Sequence, residues 1–389
     1  MDSKLILKFF LLIGLLSASI GCSQFSLKST KDVPTELKVQ TQWIRPTVPG
    51  EFRIHRKMNR MSPLISEDMV YQGNNLGSFV ALDRKSGRVK WRKEFKGGVE
   101  AGATLFKNQV FVAANDGTIS ALNAKNGDQI WSFSSSSENV SIPVLDTSTG
   151  LLYFQNSQNL VFCLEADTGR QVWVYSKPDN TLMTIRGSST PTVANGLVFV
   201  GFSEGSFVAL NAKTGQVAWE QALNRNKKFK DVDAQAVVIS PTVVVVSGYD
   251  DRVYALTQNQ GQIVWSYNAG SYSAVTLDGN FIYVSTTDSR FLKLNAENGE
   301  LIWKLDNLKG LATQAVVTPE HVIFGESQGS ILFVDKKTGQ KVNQYQPGRG
   351  VFSMPQFIPQ TSEIFFISGE AYVYSLLYKP KRLSRFSWL

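Results

Sequence analysis

One phrase recurs down the chain and restricts the fold more than any other feature. "SALNAKNGDQIWSF" at residues 120–133 has near copies starting at Val80, Phe162, Val208, Tyr254 and Leu292. Six Gly-x-x-x-Trp pairs fix the register: Gly87/Trp91, Gly127/Trp131, Gly169/Trp173, Gly215/Trp219, Gly261/Trp265 and Gly299/Trp303. A seventh unit has Gly339 but carries Asn343 where the Trp belongs. From Trp91 to Asn343 the steps are 40, 42, 46, 46, 38 and 40 residues. Periods of this length belong to solenoids or propeller blades, and a motif used this often is not one active site.

The order within a period is constant. In residues 189–221, "STPTVA" predicts a first strand and "NGLVFVGFS" a turn and a second. "EGSFVALNA" predicts a third, and "KTGQVAWEQAL" a tight turn and a fourth. The Asn-Gly, Glu-Gly and Thr-Gly pairs supply the positive φ that hairpin turns need. Four antiparallel strands per period make a propeller blade. Hydrophobic residues are 43% of the chain, enough for a large core, and helical periodicity is nearly absent after residue 25. Seven units are complete. An eighth, "SMPQFI", "EIFFIS" and "AYVYSLLY", lacks its fourth strand.

The segment "TQWIR" (41–45) is expected to supply that strand. The predicted fold is therefore an all-β, eight-bladed β-propeller of four-stranded antiparallel blades. An N-terminal strand pairing into the last blade closes it and removes an open seam. Seven blades is the alternative if the last set packs differently. The Trp residues read as core: each covers the neighbouring blade, with the Gly four residues earlier opening room. Truncating a fully buried one to Ala should cost about 3–5 kcal/mol.

The N-terminus is a separate element. "MDSKLILKFFLLIGLLSASIGCS" has Lys4 and Lys8, then an apolar stretch from Phe9 to Leu16, then small residues. That is the layout of a secretory signal, too short for a stable membrane span. "SIGC" resembles the lipobox of bacterial lipoprotein signals, which implies lipidation at Cys22. Ser19 departs from the usual Leu, and an ordinary cleaved signal with an incidental Cys22 is the alternative. Acyl chains bind lipid at ~0.8 kcal/mol per buried CH₂. Ser23 in place of Asp implies sorting to the outer membrane.

The predicted organisation is a signal peptide at 1–21, a lipidated tether at 22–40, the propeller at 41–378 and a basic tail at 379–389. Cys163, the one other cysteine, stands where sister repeats have Ala, and reads as a small buried filler. Net charge is +8, with the basic residues dispersed apart from 225–230 and 379–385. That favours solubility and weak attraction to acidic surfaces over nucleic-acid binding.

Loop lengths point to a partner face. From each Trp position to the next first strand, five connections measure 10 to 12 residues. Trp43 to Pro63 is 20, Trp173 to Pro191 is 18 and Trp219 to Ala236 is 17. All three run from a fourth strand to the next first strand, so they emerge on one face, and insertions clustered on one face commonly mark binding. The first of the consecutive pair holds apolar Leu182, Met183 and Ile185 followed by Arg186. The second holds Asp231 and Asp233. The alternative for Arg186, Asp231 and Asp233 is an internal pairing that fixes the loops. For Met183 and Ile185 it is a loop tucked onto the blade.

The repeated phrase resembles the PQQ-type propeller repeat, carried by many quinoprotein dehydrogenases. That family commonly has an adjacent pair of cysteines, acidic calcium ligands and an Asp base. This chain has no Cys-Cys pair and only two histidines, His55 and His321, far apart in sequence. No cofactor is expected, and a PQQ- or small-ligand-binding propeller is the alternative reading.

A resemblance over nearly the whole mature chain is closer. The lipoprotein signal, the N-terminal Trp strand and the eight blades together resemble the BamB family of outer-membrane protein assembly factors. "IRGSSTPT" (185–192) is similar to that family's "LRGxSAPT", and "KDVDAQAVV" (230–238) to its "SDVDTTPVV". The resemblance implies a non-enzymatic scaffold in the barrel-assembly complex, lipid-anchored at the periplasmic face of the outer membrane. It implies docking on the POTRA domains of BamA through Met183, Ile185, Arg186, Asp231 and Asp233. Unfolded outer-membrane protein precursors are a further implied partner. Met183 differs from the family's usual Leu.

Overall fold

A computed structural model describes residues 35–48, 58–177, 189–223, 229–249 and 252–382. The chain divides into two units. Leu37–Lys379 forms the propeller; of the other, Met1–Glu36 with Pro380–Leu389, only strand ends are described.

Each blade is a four-stranded antiparallel meander. Strands β2 (Leu64–Ile65), β3 (Met69–Gly73), β4 (Ser78–Asp83) and β5 (Val89–Glu94) form the first. The pattern repeats through β26 (Val316–Val317), β27 (His321–Gly325), β28 (Ile331–Asp335) and β29 (Lys341–Tyr345). The eighth blade runs in the order β1 (Thr35–Pro46), β32 (Tyr372–Arg382), β31 (Glu363–Ile367), β30 (Gln356–Ile358). The N-terminal strand thus takes the fourth place in the last blade, and eight blades is correct.

Sequence dictates which strand lies where. Second and third strands read as nearly continuous apolar runs and are buried on both faces, as in β3 and β4. Fourth strands leave their other side chains exposed or half-buried around a buried Trp, as in β5. Ala81 lies opposite Tyr71 on one side and Trp91 on the other. The small side chain lets the two rings meet across it, 5.9 Å between centroids. Ala121, Cys163 and Ala209 occupy the same place between Phe111 and Trp131, Tyr153 and Trp173, and Phe199 and Trp219. Cys163 is fully buried, and desolvation pushes its thiol up to about 12, so it is packing and not a reactive thiolate.

The Trp seals one blade to the next, but its glycine is not the one four residues earlier. Trp91 lies on Gly127, Trp131 on Gly169, Trp173 on Gly215, Trp219 on Gly261, Trp265 on Gly299 and Trp303 on Gly339, always one blade ahead. An added Cβ on any of these glycines would stand 2.5–2.7 Å from the ring. These glycines also hold φ of +68 to +77°, which β-carbons resist. Each indole N–H donates to a carbonyl of the same turn, as Trp91 Nε1 does to Ala124 O at 3.0 Å. Trp43 of β1 latches the first blade in the same way, ring on Gly87 and Nε1 on Arg84 O at 2.9 Å.

Seven Trp–Gly latches serve eight seams. The exception lies between the seventh and eighth blades and explains Asn343. In the eighth blade the third and fourth strands come from opposite ends of the chain, so no Gly turn joins them and a Trp would have nothing to dock on. Asn343 donates its side-chain amide to Leu37 O of β1 instead, at 2.9 Å. Leu37 and Tyr378 fill the gap, both buried, in one cluster with Phe333 and Ile323 of the seventh blade. β1 and β32 run 12 and 11 residues, about twice the usual fourth and third strands, because no turn stops them. The closing strand therefore starts at Thr35, not at 41, and the last strand continues through Arg382, not 378.

Candidate partner-binding face

The connections from fourth to first strands emerge on one face of the disc, together with the turns between second and third strands. This follows from the up-down order of each blade. Of the three long connections, one runs from β1 to β2, and the consecutive pair lies between β13 (Gln171–Ser176) and β14 (Thr192–Ala194) and between β17 (Val217–Ala222) and β18 (Val237–Val238). That pair joins successive blades on this face. Met183, Ile185 and Arg186 lie outside the described residues, as does Cys22. Asp231 and Asp233 are described.

The described parts of the two connections are tied together. Ser189 Oγ donates to Ala234 O at 3.3 Å and Thr192 Oγ1 to Ala236 O at 2.6 Å. Val232 N–H donates to Phe202 O and Tyr249 N–H to Asp231 O. Val232, Ala234 and Ala236 are buried, so residues 231–236 sit in the blade rather than above it. Gly201, at the end of its second strand, admits this segment: any Cβ there would overlap Val232 O. A glycine inside a strand run is the sequence signal for such a close approach.

Burial sorts the two aspartates. Asp231 has no exposed surface, so it acts inside the fold and does not itself touch a partner. Asp233 is half-buried. Desolvation, and then the Asp231 carboxylate nearby, hold its carboxyl well above the usual range. A raised acid on a binding face is favoured by an incoming cation, since a nearby positive charge restores the ionised form.

Sequence reasoning missed the clamp at the root of the first long connection. Lys177 Nζ meets Glu204 Oε1 at 2.8 Å, Glu220 Oε1 at 2.5 Å and Ser206 Oγ at 2.7 Å. It also lies 5.6 Å from the Phe202 ring centroid. Burial works against its charge, but the two carboxylates outweigh that and raise its pKa. Three blade positions separated by 27 and 16 residues converge here, and nothing in the local sequence signals it. Among the described residues no group of three His, Cys, Asp or Glu is placed to hold a metal ion.

These features define a PQQ-repeat propeller with one elaborated face. The family model for "Outer membrane protein assembly factor BamB" matches in overlapping stretches, 41–149, 76–305 and 232–355. The chain belongs to the BamB family. It is 26% identical to the outer membrane protein assembly factor BamB of Shewanella oneidensis, over 93% of this chain and 98% of the relative. The crystal structure of BamB from Moraxella catarrhalis superposes with a TM-score of 0.73 at 15% identity, covering 87% of this chain and all of that one. A quinohemoprotein alcohol dehydrogenase from Pseudomonas putida also gives 0.73, at 12% identity over 89% of this chain and 77% of its own. At such identities the structural likenesses speak for the propeller alone.

Proposed function

We propose that this chain is a non-enzymatic scaffold of the machinery that assembles outer-membrane proteins. It is held at the periplasmic face of the outer membrane by lipid on Cys22 and binds the POTRA domains of BamA. Unfolded precursors of outer-membrane proteins are its second class of partner. The observation that carries this reading is the family match from residue 41 to residue 355. The enzyme reading lacks a comparable observation.

Docking uses the face of the long connections. Met183 and Ile185 supply apolar anchors, Arg186 supplies charge, and Asp233 ionises against a cation of the partner. Asp231 works from below, fixing the segment that carries Asp233. Arg and apolar anchors of this kind typically lose about 2 kcal/mol or more on truncation, roughly thirtyfold in affinity. Co-purification from membranes tests the reading. Wild type should retain BamA, and Arg186→Ala should lose most of it while keeping the wild-type melting temperature. A wild type that brings down no BamA sinks the proposal.

A further inference from the structure

The scaffold reading leaves the third long connection, from β1 to β2, without a task. We propose that its end builds a second docking recess on the partner face, for a basic and an acidic side chain that BamA presents side by side. The proposal rests on the scaffold reading and extends its contact surface to the mouth of the central channel. Register places the residues. Arg60 stands three residues before Pro63, as Glu100 does before Ala103 and Asp233 before Ala236. These are one position in the first, second and fifth blades, at the end of a fourth-to-first connection. First strands are innermost and touch those of the next blade, as β2 does β6 (Gly102–Phe106) and β26 does β30. The position therefore rings the channel mouth on the partner face. Other blades put Val140, Ala312 or Phe352 there. Packing accepts all three, so the fold does not ask for a charge at this place. Arg60 and Glu100 put one of each sign there in adjacent blades.

The two charges line one recess of about 350 Å³, together with Met58, Asn115, Glu138 and Val140. Arg60 is exposed and Glu100 half-buried. Among the described residues neither makes an ion pair. The walls are fixed by neutral groups instead. Asn115 Nδ2 donates to Glu100 Oε1 at 3.3 Å and to Gly97 O at 3.1 Å. The Arg60 guanidinium lies 3.6 Å from Met58 Sδ, and Met58 O accepts from Asn75 Nδ2 at 2.9 Å. Asn59 between them is buried and donates to Ser368 O at 3.4 Å, which ties the end of the connection to the eighth blade as well as the first. A recess that holds a cation and an anion in place, each without an ion pair among the described residues, is complementary to the reverse pair on a partner. The location agrees. Glu138 and Val140 belong to the connection into the third blade, and the consecutive long connections leave from the third and fourth blades, so the two surfaces adjoin.

Surface plasmon resonance with the full chain and BamA, both in detergent, tests this. Arg60→Glu and Glu100→Lys change the net charge in opposite directions. A contact set by overall charge would tighten with one and weaken with the other. The recess predicts that both weaken binding, each about tenfold at low salt, and that the losses shrink at high salt. Arg60→Gln and Glu100→Gln should each weaken binding about threefold. Should a charge reversal lower the melting temperature, the two Gln variants carry the test. Effects of opposite sign, or unchanged affinities, overturn the proposal and leave docking through Arg186 standing. A wild type that binds no BamA overturns both readings.

Discussion

Adding one methyl group at Gly261 should destabilise the propeller through two separable terms. The first is local. Gly261 has φ of +68°, and an L-residue in that region pays about 1–2 kcal/mol. The second comes from the blade before. The new Cβ would stand 2.5 Å from Trp219 Cε3 and 2.7 Å from Cζ3. Trp219 cannot easily retreat: its Nε1 donates to Gln258 O at 2.7 Å and its ring packs on Phe199 and Phe207 at 5.9 and 5.7 Å. Overpacking of this kind costs about 1–3 kcal/mol. Gly261→Ala should therefore lose about 2–5 kcal/mol in urea unfolding followed by circular dichroism. Gly279→Ala is the control. It shares the positive φ, +57°, but its Cβ would meet nothing within 4 Å, so it should lose only the first term. In a Trp219→Leu background the extra cost at Gly261 should shrink, a coupling that a double-mutant cycle reads directly. Equal losses at Gly261 and Gly279 would refute the latch.

Three further outcomes follow from the seam, the partner face and the clamp. Asn343→Ala leaves Leu37 O without its side-chain donor and should cost about 1 kcal/mol, whereas Asn343→Trp should bring no gain, because no Gly turn receives the ring. A stabilised Asn343→Trp would show that the seam is built otherwise. Asp233 has a raised folded-state pKa, so the native state binds the extra proton and stability falls as pH rises from about 4 towards that value. Asp233→Asn should melt higher than wild type near neutral pH and no higher near about pH 4. A lower melting temperature at neutral pH would mean that the carboxylate accepts a stabilising contact. Lys177→Met removes the cation shared by Glu204 and Glu220 and should cost about 1 kcal/mol, with weaker BamA retention if the clamp shapes the adjoining loop. Unchanged stability would make the clamp a surface pairing of no consequence.

The blades were legible in the sequence because their period is local. A Gly turn, a small third-strand residue and a Trp lie within about fifteen residues, and hairpins with positive-φ turns have little freedom in register. Closure was legible as the favoured of two solutions, since three strands at one end and a lone Trp strand at the other together make one blade. The partner of the Trp was not. It lies in the next blade, and the sequence places Gly127 as close to Trp131 as Gly169 is to Trp173, so spacing alone suggests the wrong pair. The lengths of β1 and β32 were hidden for a related reason. Turn residues end every other strand, and these two have none to end them.

Repetition is what makes the site readable at all. Against five connections of 10 to 12 residues and a constant turn pattern, each departure marks a position where one blade does something its sisters do not. Asn343 departs because its seam lacks a Gly turn, a structural reason that needs no partner. The two long connections of consecutive blades depart with no such reason, since other neighbouring blades join with 10 to 12 residues. Asp231 shows the limit of reading by departure. It belongs to an exceptional loop yet lies fully buried, so length locates the face while burial decides which residues on it meet the partner. That division is why the aspartates separate into one that holds the segment and one that is half-buried on the face. It also predicts that Asp231→Ala weakens binding only together with stability, whereas Arg186→Ala weakens binding alone.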